Sequence, residues 1–162
     1  MTLQRAGIGY DAHPLVPGRP LILGGVAIPH DRGLAGHSDS DVAAHAIGDA
    51  LLGAAALGDL GTHFPPSDPL WKDASSMLLL ERIASLLECS GWRIASVDAT
   101  IIAQKPILSP YIPQMRQAIA AALKVDASRV SVKGKSTNGL GFEGRGEGIA
   151  AQAITLIERD PA

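Results

Sequence analysis

The run "DVAAHAIGDALLGAAAL", from Asp41 to Leu57, sets the strongest constraint on the fold. Its apolar residues keep helical spacing, so it predicts a long helix. Ser38, Asp39 and Ser40 just before it are N-cap candidates, and Gly58 and Gly61 are expected to end it. Alanine is its commonest residue, so it buries apolar area only where its partner comes very close. Aromatic residues make up 4% of the chain, while alanine and glycine are abundant, which extends this demand to the whole core. A chain of 162 residues with so fine-grained a core is expected to complete its burial in an oligomer.

Around this helix the chain reads as alternating short segments. Leu3–Tyr10 is a predicted strand, and Pro14–Pro20 a turn-rich loop. Leu21–Ile28 is a second strand, interrupted and bulged at Gly24-Gly25. Pro29–Ser40 is a polar loop. "THFPPSDP" is a loop that its prolines keep irregular. Ser75–Cys89 is an amphipathic helix stopped by Gly91, Ile94–Ala103 a β-branched strand, and "QKPILSP" a loop. Ile112–Leu123 is a third helix, and Arg129–Lys133 a short strand. "GKSTNGLGFEGRGEG" is a glycine-rich loop. Ile149–Ile157 alternates as a last strand, although a helix fits it too. Five strands and three clustered helices predict an α+β fold: one domain, 1–162, with a small mixed sheet and helices layered on one face.

Charge and cysteine content narrow the function classes. A net charge of −2 gives no support for a nucleic-acid binder. The single cysteine, Cys89, rules out an internal disulfide and is expected to be a structural thiol in a reducing compartment. Residues 1–15 lack the features of a secretion signal, and no apolar run approaches the ~20 residues of a membrane span. The expectation is a soluble, cytoplasmic protein.

Four stretches could carry chemistry. In "GIGYDAHPL", Asp11 and His13 are two residues apart, so on a strand they share a face. Asp41, His45 and Asp49 are spaced by four along one helix face. Asp11, His13 and His45 together would make a zinc set with an open position. The alternative is a core histidine with an ordinary hydrogen-bond partner, because spacing alone does not bring strand and helix together. In "GHSDSD", His37 and Ser38 precede a helix start, where free amides attract anions; plain capping by Ser38 or Asp39 is the other reading, and spacing alone favours it. In "VKGKSTNGLGFEGRGEG", Lys133, Lys135, Ser136, Thr137 and glycine amides suit a diphosphate, without P-loop spacing; a glycine-rich surface loop is the other reading. "AQKPILSPY" could hold a flat ring, or be only a turn. No nucleophile elbow is present.

Taken in order, "GIGYDAHPL", "GHSDSDVAAHAIGDALLGAAALGDLG", "FPPSDP", "DATIIAQKP", "IPQMR" and "GLGFEGRGEGIA" resemble the 2-C-methyl-D-erythritol 2,4-cyclodiphosphate synthase family nearly end to end. The resemblance implies a homotrimer with active sites between subunits. It implies a phosphorus–oxygen lyase acting on a cytidine-diphosphate conjugate of methylerythritol 2-phosphate, in which the 2-phosphate attacks the β-phosphorus and CMP leaves. Asp11, His13 and His45 would bind Zn2+ or another divalent cation. His37 and Ser38 would hold the phosphate end of the methylerythritol, and Asp59, Gly61 and Phe64 its hydroxyls. Asp49 would line the same pocket, with Asp68 and Phe142 also among the substrate-binding residues. Ala103, Pro106, Ile107, Leu108 and Ser109 would frame the cytosine. Ser136 and Thr137 would bind the diphosphate and share in catalysis. Arg145 and Glu147 would lie near a central cavity that takes prenyl diphosphates.

Three positions depart from the family pattern. Asn138 stands where a glutamate usually serves a second ion, Mg2+ or Mn2+, which weakens that site. Glu143 is five residues away and could compensate. Ile107 replaces the lysine usual after Pro106, with Lys105 before the proline instead. Pro66 replaces an aspartate near the sugar hydroxyls. Two rival readings remain: a zinc-dependent phosphatase, and a non-catalytic prenyl-diphosphate-binding trimer.

Overall fold

A computed structural model describes residues 2–161, so the outermost positions of the expected 1–162 domain, Met1 and Ala162, lie outside the described residues. The chain begins with a long strand, β1 (Leu3–Pro17), and a short hairpin, β2 (Leu21–Leu23) and β3 (Val26–Ile28), followed by β4 (Arg32–Leu34). The Ala-rich helix α1 (Val42–Ala54) comes next, then a single turn, α2 (Leu60–His63), and α3 (Ser76–Cys89). β5 (Arg93–Ile102), α4 (Ile112–Leu123), β6 (Val130–Lys135), the one-turn α5 (Gly141–Gly144) and β7 (Gly148–Arg159) complete it.

The main sheet has five strands in the order β4-β1-β7-β5-β6. β1 and β5 both run antiparallel to β7, while β6 is parallel to β5. The sheet is therefore mixed, as expected. α1 packs on β1, β7 and β5; α3 packs on α1 and α4; and α4 covers β6. The other face of the sheet carries Ile8, Tyr10 and Ile154, all exposed, with Ile8 and Ile154 directly paired across β1 and β7.

The small residues have a geometric reason. A Cβ on Gly7 would lie 1.9 Å from the Ala50 carbonyl oxygen, and one on Gly9 equally close to that of Ala46. The α1 backbone thus rests directly on β1. Ala43, Ala46 and Ala50 of α1 and Ala151 and Ala153 of β7 are buried where α1 packs on the sheet. Leu51, Leu52, Ile83, Leu87, Met115 and Ile119 fill the second layer between helices.

Several expected boundaries are corrected. Leu21–Ile28 is two strands in a tight hairpin, because Gly24 and Gly25 take φ of 57° and 76° and reverse the chain instead of bulging it. β1 runs on to Pro17, into the expected Pro14–Pro20 loop, because its end pairs with β4, which lies inside the expected Pro29–Ser40 loop. The strands therefore number seven among the described residues. The α1 cap is Asp41, whose carboxylate accepts from Ala43 N and Ala44 N, not Ser38, Asp39 or Ser40. α1 also ends at Ala54, three residues before Leu57 and ahead of Gly58 and Gly61, because Ala56 turns left-handed at φ 58°. Gly61 lies in α2, and α5 lies within the expected glycine-rich loop. The last segment is a strand, not a helix.

Candidate functional site

Side chains at alternate positions of β1 point toward α1, and this face carries Gly7, Gly9, Asp11 and His13. The two glycines bring α1 down, and His45 on α1 then reaches Asp11 and His13. His13 Nε2 and His45 Nδ1 lie 2.9 and 3.0 Å from the same oxygen, Asp11 Oδ2, and 3.3 Å from each other. This is the one group of three His, Cys, Asp or Glu residues among the described residues whose ligand atoms converge in this way.

The hydrogen bonds behind the rings decide what the cluster can hold. His13 Nδ1–H donates to the Ala35 carbonyl at 2.8 Å; a carbonyl only accepts, so a proton sits on Nδ1, and Nε2 is the nitrogen turned to Asp11. His45 Nε2 lies 3.0 Å from Ser38 Oγ and 3.1 Å from Ser76 Oγ. Burial pushes the Asp11 carboxyl upward, but hydrogen bonds and charge from His13 and His45 outweigh it and leave it well below the usual carboxylate range. His13 is raised, chiefly by its hydrogen bond to Asp11. The site thus pulls positive charge to one point. Zinc bonds of about 2.0–2.1 Å in a tetrahedron place ligand atoms about 3.3 Å apart, close to the spacings found. The donor set fits a zinc-like ion.

The cluster sits in a cleft of about 390 Å³, which His37, Ser38, Asp49, Leu60, Gly61, Phe64, Pro66, Trp71 and Leu79 also line. Burial raises the Asp49 carboxyl, with Asp59 and Asp11 adding to it and the Leu60 N–H, 2.8 Å away, opposing it. Asp59 is not in this lining. Its carboxylate accepts from Thr62 Oγ1 and N at 2.7 and 2.9 Å and is lowered by those bonds. Asp68 is also absent from the lining, since its carboxylate accepts from Leu70 N. Asp41 does not share the cleft with His45 and Asp49. Fully buried, it accepts from Gly24 N at 2.9 Å and Gly25 N at 2.7 Å, pinning the β2–β3 hairpin to the start of α1.

A second cleft of about 250 Å³ is lined by Ala103, Pro106, Ile107, Leu108 and Ser109, together with Gln104, Ile112, Gly134, Lys135 and Ser136. It brings together every residue expected to frame a ring, and Ser136 as well. Ile107 stands 76% exposed on its wall. The Thr137 hydroxyl donates to the Leu140 carbonyl, and Asn138 Oδ1 accepts from Ser136 Oγ at 3.4 Å. Phe142 packs over Gly148. Arg145 is held by a bidentate pair with Glu147, at 2.7 and 3.2 Å. The two clefts share no lining residue.

Sequence reasoning did not single out Trp71 and Leu79 in the first cleft, Ser76 behind His45, or Arg19, whose guanidinium donates to the Gly36 and Ser38 carbonyls. Trp71 had a signal, being one of two tryptophans in a chain poor in aromatics. It meets Phe64 edge-on, ring centroids 4.9 Å apart. Ser76 and Arg19 had none.

Comparison with known proteins shows the family of the chain. The YgbB family matches residues 4–158. A 2-C-methyl-D-erythritol 2,4-cyclodiphosphate synthase of Moorella thermoacetica is 63% identical over 95% of this chain and 94% of its own length. The solved bifunctional IspDF of Campylobacter jejuni is 38% identical with a TM-score of 0.94 over 99% of this chain, which spans 43% of that longer protein. A Plasmodium falciparum IspF, solved as a CDP complex, is 33% identical with a TM-score of 0.85, over 98% of this chain and 97% of that one. With a family match over nearly its whole length and a relative well over half identical, this chain belongs to the 2-C-methyl-D-erythritol 2,4-cyclodiphosphate synthase family, described as the YgbB family.

Proposed function

We propose that this chain, acting as one domain over 1–162, converts 4-diphosphocytidyl-2-C-methyl-D-erythritol 2-phosphate to 2-C-methyl-D-erythritol 2,4-cyclodiphosphate and CMP. The substrate's 2-phosphate attacks the β-phosphorus, and the bond from that phosphorus to CMP breaks. The observation that carries the reading is the convergence of Asp11, His13 and His45 in a cleft, in a chain of this family. A divalent ion on these residues, zinc for this donor set, supplies Lewis-acid polarisation of a phosphoryl oxygen.

The remaining work falls to the chain itself. The nucleophile is already an anion, so catalysis is mostly positioning and charge neutralisation. His37 and Ser38 hold the phosphate end of the methylerythritol. Gly61 and Phe64 shape the pocket for its hydroxyls with Asp49, while Asp59 and Asp68 act from its edge. Leu60, Phe64, Trp71 and Leu79 give the cleft an apolar wall that keeps water from competing with the 2-phosphate, which supports a cyclase over a phosphatase. Ala103, Pro106, Ile107, Leu108 and Ser109 frame the cytosine, and Ser136 and Thr137 bind the diphosphate.

For Mg2+ or Mn2+ at a second position the chain offers one neutral oxygen, that of Asn138, and no further cluster of acidic or imidazole ligands among the described residues. Such an ion would be held mainly by substrate phosphates and water.

We place the active site between subunits of a homotrimer working in the cytoplasm. The separate linings of the two clefts and the apolar strip of Ile8, Tyr10 and Ile154 support the assembly. Among the described residues no helix is long and apolar enough to cross a membrane. A prenyl diphosphate near Arg145 would have to compete with Glu147 for its guanidinium.

Phosphorus NMR of the purified protein with this substrate, zinc and magnesium tests the reading. Cyclic diphosphate and CMP in equal amounts are expected. Free phosphate would replace the cyclase with a hydrolase. An unchanged substrate with zinc bound would leave a prenyl-diphosphate-binding protein.

A further inference from the structure

We propose that Ser76 and Asp39 are positioning residues that hold His45 by its Nε2–H and so keep Nδ1 as its ligating nitrogen; this rests on the reading of His45 as a metal ligand. Ser76 is fully buried on the first turn of α3. Its hydroxyl meets Asp39 Oδ1, and its N–H donates to Asp39 Oδ2 at 2.9 Å. A carboxylate only accepts, so the Ser76 hydroxyl spends its proton on Asp39. The same oxygen lies 3.1 Å from His45 Nε2 and has only lone pairs left for it. His45 therefore donates from Nε2, which leaves Nδ1, the nitrogen turned to the point shared by Asp11 and His13, as the one a metal ion would take. Chains of this kind, running from a carboxylate to a ligating imidazole, set ring orientation and ligand basicity at metal sites. Here a serine is inserted between the two.

Ser38 shows why the lock matters. Its Oγ lies 3.0 Å from the same Nε2 and accepts from Ser40 N at 3.1 Å. Alone, the Ser38 hydroxyl could donate to Nε2 and drive the proton onto Nδ1, where an ion must bind. With Ser76 holding Nε2–H, the Ser38 hydroxyl proton has no other partner among the described residues and lines the cleft, free for an anionic oxygen. Asp39 also accepts from Asp41 N at 3.1 Å, which ties the lock to the start of α1.

The test measures zinc affinity by competition with a chelating dye, together with nitrogen-15 NMR of the histidine rings, for the unaltered protein, Ser76→Ala and Asp39→Asn. Ser76→Ala is expected to bind zinc about 10- to 100-fold more weakly, and Asp39→Asn more weakly by a smaller factor. In the zinc-loaded protein His45 should carry a hydrogen-bonded proton on Nε2, and Ser76→Ala should shift the resonance of that nitrogen. His13, fixed by the Ala35 carbonyl, should keep its tautomer in every variant. Unchanged zinc affinity with an unchanged His45 ring in Ser76→Ala overturns the proposal, as do His13 and His45 shifting together, which marks a general loss of packing. Where Ser76→Ala fails to fold, Asp39→Asn keeps the side-chain shape and decides by the same readouts. Unaltered protein that binds no zinc overturns the ligand reading instead, and this proposal with it.

Discussion

Gly9 and Ala46 meet backbone to backbone: a Cβ on Gly9 would sit 1.9 Å from the Ala46 carbonyl oxygen. The contact lies between strand β1, which supplies Asp11 and His13, and helix α1, which supplies His45, so packing and site geometry share one surface. A carbonyl in a helix cannot yield as a flexible side chain does. Gly9→Ala should therefore cost about 3 kcal/mol, the upper end of ordinary overpacking, and push His45 away from Asp11. Thermal unfolding and bound-zinc content should fall together. Zinc content that holds while stability drops would separate the two.

His45→Ala removes one of the three converging donors at little cost to the helix, because alanine already fills much of α1. Zinc binding and CMP release should both be lost, while circular dichroism stays helical. Full turnover without bound zinc would dismiss the ligand assignment.

What could be read in advance follows from sequence separation. Asp11 and His13 share a strand face, and His45 and Asp49 a helix face, by local periodicity alone. The same periodicity misplaced Asp41, because its carboxylate serves the hairpin amides of Gly24 and Gly25, a partnership set by the tertiary fold. β4 spans three residues whose only claim to be a strand is their pairing with the end of β1. Ser76 touches His45 across 31 positions, and no pattern within α3 marks it. Resemblance to a family supplied expected roles for the clefts, but not the hydrogen bonds behind the ligands.

Asp49 carries a pH prediction. Burial raises its carboxyl above the ordinary 3.8, so the folded protein holds that proton more tightly than the unfolded chain. Stability contributed by Asp49 is then present at low pH and declines as pH rises through the window above 3.8. Asp49→Asn, whose amide oxygen can still accept from Leu60 N, should lack this decline. Melting temperatures of the two proteins should diverge as pH rises from that value toward neutrality, the variant being the more stable. Parallel curves would show that Asp49 ionises normally.

Asn138 gives a second ion one uncharged oxygen. Asn138→Glu adds a carboxylate, the ligand type magnesium prefers. The magnesium concentration giving half-maximal CMP release should fall, by about tenfold if the gain is near 1.4 kcal/mol. An unchanged requirement would mean that this ion is held by substrate phosphates alone, with Asn138 outside its shell.

Ile8 and Ile154 pair directly across β1 and β7 on the helix-free face, 73% and 58% exposed. Neither contributes to the core cluster, so Ile8→Asp should leave the fold of a single chain intact. In the proposed trimer that face is covered, and a charge buried there without a partner costs far more than the few tenths of a kcal/mol typical of an exposed substitution. Light scattering should report trimers for the unaltered protein and monomers for Ile8→Asp. Zinc should still bind the monomer, because Asp11, His13 and His45 come from one chain, yet CMP release should vanish, because the cytosine cleft would have to come from a neighbour. A monomer that binds zinc and still turns over substrate would move the whole active site into one chain.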